Sequence, residues 1–214
     1  MSRKIILDTE TTGISHKKGH RIIEVGCIEV LGRTASSKHF HKYTNPLRAV
    51  DPGAFAVHGI SDDFLSDKPL FADIAYELWE FLIGAELIIH NASFDIGFLD
   101  AEFARLKMPG GRPYAKLKDV CTVTDTLAMA RKMHPGMANS LDALCKRYKV
   151  DASNRELHGA LLDSELLLQV YLAMTGGQMS LLSETDSQAN AASKIAASAN
   201  INSENLKVVL ANAT

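Results

Sequence analysis

Lys4-Ile5-Ile6-Leu7-Asp8-Thr9-Glu10-Thr11-Thr12-Gly13 is a short apolar run that ends in two carboxylates. A run of this length over Lys4–Leu7 predicts a buried β-strand. Should the strand continue, Asp8 and Glu10, two residues apart, point to the same face. Outward from this stretch, Arg21–Leu31 and Ser37–Thr44 read as two further strands, the second carrying Phe40 and Tyr43. Residues 45–68, with Pro46 and Pro52, read as loop-rich. Phe71–Ile83 shows helical spacing through Ile74, Leu78, Phe81 and Leu82, and Leu87-Ile88-Ile89 is another short buried strand. Phe94–Leu106, Thr124–Met133, Leu141–Tyr148 and Gly159–Thr175 read as helices. Three strands followed by strand–helix alternation predict an α/β sheet with helices on its faces.

Composition narrows the class. With 214 residues, 46% hydrophobic and 22% charged, the chain is long enough for one cored domain plus an appendage. No apolar run approaches the roughly 18 residues that a membrane span requires, so no membrane partner is expected. The N-terminus, MSRKIILDTE, lacks the layout of a signal peptide. Cys27, Cys121 and Cys145 are odd in number and form no CxxC pair, so neither a disulfide framework nor a zinc site is expected. A reduced, cytoplasmic protein follows. The formal net charge of −2 is an average over segregated blocks. Residues 1–50 carry +5, residues 51–102 carry −10 and residues 103–155 carry +7. The total therefore does not exclude nucleic acid.

Four carboxylates sit where a carboxylate is costly. Asp8 and Glu10 end the first strand. Asp95 shares a helical face with Phe98 and Leu99, and Asp163 shares one with Leu166, Leu167 and Val170. An isolated buried carboxylate tends to be neutral. Either each acid has a local partner, as Asp at a helix start often does, or several converge on a cation. Hard oxygen donors without thiolates suit Mg²⁺ or Mn²⁺. His158 and Asp163, five residues apart, would diverge by about 140° on one helix. His158 is therefore expected on the loop or first turn before Gly159, near Asp163, either as a base or as a surface residue capping a loop.

Three stretches carry a resemblance. Asp8-Thr9-Glu10-Thr11-Thr12-Gly13, His90-Asn91-Ala92-Ser93-Phe94-Asp95 and His158-Gly159-Ala160-Leu161-Leu162-Asp163 resemble, in order, the three motifs of the DEDD exonucleases in their His-containing, DEDDh form. Val57-His58-Gly59-Ile60, Val123–Leu127, Asn139–Cys145 and Tyr171–Gln178 extend the similarity to the proofreading epsilon subunits of bacterial DNA polymerase III. The resemblance implies a ribonuclease-H-like fold with a mixed five-stranded sheet. It implies 3′→5′ cleavage of DNA by two divalent cations roughly 3.5–4 Å apart, held by Asp8, Glu10, Asp95 and Asp163. One cation binds and acidifies the attacking water, the other stabilises the leaving 3′-oxygen, and His158 takes the water's proton. It further implies that Thr11, Val57, His58 and Phe94 cradle the terminal nucleotide. Phe94 also fits a core aromatic and His58 a turn residue. His90 and Asn91 read as supporting or structural. Arg131-Lys132 and Lys146-Arg147 are candidate phosphate contacts, against the alternative of a solvated helix surface.

The domain is expected over residues 1–176. Residues 177–214 contain 19 Ala, Ser or Asn among 38 and no aromatic, which predicts a flexible C-terminal arm. Gln178-Met179-Ser180-Leu181-Leu182 resembles the peptide that bacterial replication proteins insert into the sliding clamp; a polar–apolar run at a helix end is the alternative. Leu206-Lys207-Val208-Val209-Leu210 resembles a segment that holds the polymerase III catalytic subunit. The expected partners are thus a single-stranded or frayed 3′ end of DNA, the sliding clamp, the catalytic subunit and a small accessory subunit. An exoribonuclease or oligoribonuclease built on the same site, and a catalytically weak scaffold linking clamp and polymerase, are the competing functions.

Overall fold

The computed structural model describes residues 3–153 and 157–176. Strands β1 (Arg3–Thr11), β2 (Ile22–Leu31) and β3 (Thr34–Tyr43) come first. Helices α1 (Pro52–His58), α2 (Asp62–Leu65) and α3 (Phe71–Leu82) follow, then β4 (Glu86–Ile89), α4 (Ala92–Phe103), α5 (Leu117–Val120), β5 (Thr122–Asp125), α6 (Thr126–Met133) and α7 (Leu141–Tyr148). A last helix, α8, covers residues 160–176. The sheet order is β3-β2-β1-β4-β5. The first three strands form an antiparallel meander, whereas β1–β4 and β4–β5 are parallel. This is the expected ribonuclease-H-like mixed five-stranded sheet with flanking helices.

The central strand is apolar because both of its faces are covered. Ile5, Ile6 and Leu7 are fully buried. On one face Ile5, Leu7, Leu87 and Ile89 join Val25 and Cys27 in a core with α3 and α4. Phe71, Ile74, Ala75, Leu78, Trp79 and Leu82 supply the buried stripe of α3 at i, i+3 and i+4. Phe103 sits edge-on to both Phe71 and Trp79. The opposite face receives α8: Ser164 Oγ donates to the Gly26 carbonyl at 2.9 Å and Lys4 Nζ reaches the Tyr171 hydroxyl at 2.8 Å. Gly26 makes this approach possible, since a Cβ there would overlap the Ala160 carbonyl.

The sequence reading needs two corrections. Residues 45–68 are not simply loop: α1 and α2 lie within them. Both are short, and they start on Asp51-Pro52 and on Ser61, whose hydroxyl accepts from Phe64 N, rather than on an apolar period. The helix expected over Thr124–Met133 begins two residues later, because Thr122–Asp125 is the edge strand β5. Asp125 ends β5 and caps α6, its carboxylate accepting from Leu127 N and Ala128 N. Among the described residues no helix is long and apolar enough to cross a membrane. The expected arm over 177–214, with Gln178–Leu182 and Leu206–Leu210, lies outside the described residues.

Candidate active site

β1 outruns its parallel neighbour. Its last partner pair with β4 is Leu7–Ile89, while Asp8 pairs with Gly26 and Glu10 with Glu24 of β2. Asp8 and Glu10 therefore project beside the carboxyl end of β4, where the chain turns away. The turn is made at Asn91, which adopts a left-handed conformation (φ 67°) before α4 begins. Asn91 N donates to Asp125 Oδ1 and His90 Nδ1 contacts Thr126 Oγ1, so the turn is tied to the start of α6. Asp95 falls in the first turn of α4 and is buried, its Oδ1 accepting from the Thr9 hydroxyl at 2.7 Å.

Asp163 comes from the other layer, one turn into α8. It is buried, and its backbone N donates to the Gly159 carbonyl. His158 precedes the helix, as the 140° divergence required. Its backbone N donates to the Val57 carbonyl, and its Nδ1 lies 3.1 Å from Asp163 Oδ2. The side chain of His158 keeps 41% exposure, so the ring faces a cleft of about 730 Å³ that Asp8 and Asp163 also line.

Electrostatics sets this cluster apart from ordinary surface acids. Burial raises the Asp8 carboxyl well above the usual carboxylate range, and Asp95, Glu10, Asp163 and Glu24 add repulsion. Burial pushes Asp95 up to about 7, opposed by its hydrogen bond from Thr9. Nearby, burial and then Asp8 and Asp95 push the Cys27 thiol up. A group of carboxylates that repel one another in low dielectric is stabilised by a divalent cation. The donor set fits one: carboxylate oxygens and an imidazole, with Glu10, His158 and Asp163 each offering an atom within 4.8 Å of the others.

The remaining candidates separate by position. Val57 is exposed and His58 buried at the end of α1. Ile60 N donates to His58 Nδ1, which leaves the proton on Nε2, and the buried Nε2 has no hydrogen-bond partner among the described residues. Burial lowers the pKa of His58, opposed by the Thr11 backbone, which favours the neutral ring. The Thr11 hydroxyl donates to the Gly13 carbonyl. Phe94 packs on Phe98 at 4.9 Å between ring centroids and borders the core. Arg131 lines the cleft, but Lys132 and Lys146 do not. Arg147 donates to Asn139 Oδ1 and the Ala138 carbonyl, so it braces a loop.

Sequence reasoning missed Thr9, Glu24 and Asp125. Glu24 is buried opposite Glu10, and His41 Nε2 lies 2.7 Å from its Oε1. Its signal was present: an acid directly after the apolar pair Ile22-Ile23, the same pattern that marks Asp8. Thr9 acts through a hydrogen bond to Asp95, 86 residues away, and Asp125 joins its local cap on α6 to the distant Asn91 N; neither left a periodic trace.

Known proteins share both sequence and fold. A family model described as Exonuclease matches residues 5–171. The DNA polymerase III subunit epsilon of Escherichia coli (strain K12) is 57% identical over 185 residues, covering 85% of this chain and 74% of that protein. The same-named subunit of Rickettsia typhi is 52% identical over 184 residues, covering 86% and 79%. Among solved structures, exonuclease X in complex with 5′-overhanging duplex DNA superposes with a TM-score of 0.60 at 24% identity, over 81% of this chain and 92% of that chain. The zinc-bound E. coli exonuclease I complex with single-stranded DNA gives 0.72 at 19%, over 86% and 42%. At these identities the superpositions speak for the fold. Sequence and fold together assign the chain to the exonuclease family and, within it, to the DNA polymerase III epsilon subunits.

Proposed function

We propose that this protein is a 3′→5′ DNA exonuclease and the proofreading subunit of a bacterial replicative polymerase, working in the cytoplasm. It hydrolyses the 3′-terminal phosphodiester and releases nucleoside 5′-monophosphates. The observation that carries the reading is the meeting of Asp8, Asp95 and Asp163, from three separate elements, with His158 at one end of the sheet. Membership of the epsilon subunits supports DNA as the substrate and polymerase III as the assembly.

Asp8, Glu10, Asp95 and Asp163 would hold two divalent cations, Mg²⁺ or Mn²⁺, which when bound would supply an acidified water and offset charge at the leaving 3′-oxygen. Asp163 orients the His158 ring through Nδ1, so Nε2 is the atom that accepts the water's proton. Thr9 holds the Asp95 carboxylate in place. His58 Nε2–H donates to the terminal nucleotide, Phe94 and Val57 contact it through apolar surface, and Thr11 shapes the turn beneath it. Gln178–Leu182 binds the sliding clamp, Leu206–Leu210 binds the catalytic subunit, and a small accessory subunit joins the exonuclease domain.

A primer with a 3′ mismatch, incubated with Mg²⁺ or Mn²⁺, tests the reading. Stepwise shortening from the 3′ end, stopped by EDTA, is expected. An intact primer, or shortening that EDTA leaves untouched, overturns it. Faster loss of an RNA of the same sequence would transfer the site to an exoribonuclease.

A further inference from the structure

The strand must deliver its terminal phosphodiester to the carboxylates with one nucleotide beyond the scissile bond and the rest of the chain behind it. Thr11, Val57, His58 and Phe94, assigned above to the terminal nucleotide, do not line the 730 Å³ cleft. That cleft starts at Asp8, His158 and Asp163 and runs to a second wall built by Arg131 of α6 and by Met137 and Asn139 of the following loop. Among the described residues Arg131 is the one Lys or Arg on its lining. Its guanidinium makes no hydrogen bond or ion pair among the described residues, yet its charge is felt at His90 on the same cleft. A guanidinium on a cleft that acids also line, with no partner among the described residues, fits a phosphate.

The loop behind it is held firmly. Asn139 Nδ2 donates to the His134 and Met137 carbonyls, Arg147 donates to Asn139 Oδ1, and His134 Nε2 contacts the Tyr148 hydroxyl at 2.7 Å. Met137 nevertheless projects from this braced loop with 57% exposure. A pre-organised loop that presents an exposed thioether into a cleft offers an adaptable apolar contact without loss of loop entropy.

We infer that this wall is a subsite for the nucleotide upstream of the scissile bond: Arg131 contacts the phosphate on its 5′ side and Met137 packs against its base. The subsite rests on the exonuclease reading above. It carries no sequence preference, because a phosphate contact reads no base and a thioether accepts any of them. Arg131 also supplies the positive charge that draws a polyanion into an acidic site.

The test compares a single-stranded oligothymidylate with the p-nitrophenyl ester of thymidine 5′-monophosphate, which has no upstream nucleotide. In Arg131→Ala, kcat/KM for the oligonucleotide should fall about tenfold relative to that for the ester, through KM. The log–log salt dependence of oligonucleotide KM should become shallower by about 0.7. Arg131→Lys should recover the salt slope, and Met137→Ala should raise the oligonucleotide KM without changing that slope. Equal losses on both substrates, or an unchanged oligonucleotide KM, would overturn the subsite. A wild-type protein inert toward both substrates would overturn the exonuclease reading and the subsite with it.

Discussion

His158 Nδ1 stands 3.1 Å from Asp163 Oδ2, across a break between loop and helix. The two residues carry different duties because of that break. Asp163 is fixed by the helix and buried, whereas His158 lies on the loop before it, its backbone N donating to the Val57 carbonyl and its ring partly exposed. A ligand must be rigid, and a proton acceptor must reach a moving atom.

Replacing His158 by Gln should lower kcat on a mismatched primer by about 10²-fold or more with KM little changed, since a general base acts in the transition state. Asp163→Asn should abolish cleavage and also the thermal stabilisation by Mn²⁺. Single-turnover rates and melting with and without Mn²⁺ separate the two roles.

Burial pushes the Asp95 carboxyl up to about 7 in the folded protein, against an ordinary 3.8. A carboxyl raised on folding contributes stability that is complete below the unfolded value and lost as pH rises through the folded one. In EDTA the Asp95→Asn variant should therefore gain on wild type in melting temperature as pH rises from about 4 to about 7. Mn²⁺ should reverse the order near pH 7, because cation binding stabilises only the protein that keeps its ligands. A melting difference independent of pH would refute this.

Gly26 lies where α8 meets β2, and no side chain fits between it and Ala160. Gly26→Ala should destabilise the fold by about 1–3 kcal/mol, as overpacking does. It should also reduce cleavage, because α8 carries Asp163 and follows His158. Denaturant unfolding and primer assays check both effects.

Arg21 holds the buried Glu102 with two hydrogen bonds of 2.6 and 2.8 Å, and Glu102 also accepts from Ile22 N. Arg21→Ala leaves the buried carboxylate with only the longer Arg105 pair at 3.8 Å and should cost about 3 kcal/mol. Arg21 is far less buried than Glu102, so solvent moderates the loss. The double variant Arg21→Met, Glu102→Leu should recover most of the stability.

The legible parts of the sequence are those with local periodicity or local cost. Ile5-Ile6-Leu7 announced a buried strand, the Phe71–Leu82 stripe a helix, and acids set in apolar runs the carboxylates that meet here. Spacing alone placed His158 outside the helix that holds Asp163. The illegible parts depend on tertiary partners. β5 is four residues long with exposed and half-buried positions, and it becomes a strand by pairing with β4. Thr9 matters through Asp95, 86 residues away, and Gly26 through α8. Among the basic residues, composition could not distinguish Arg131 on the cleft from Arg147 within a loop.

The central claim is that the carboxylates of three elements form one cation site. A crystal soaked in Mn²⁺ and measured at the manganese absorption edge tests it most directly. The expected result is two anomalous peaks among Asp8, Glu10, Asp95 and Asp163. No peak at this cluster, with manganese bound elsewhere or not at all, would contradict it.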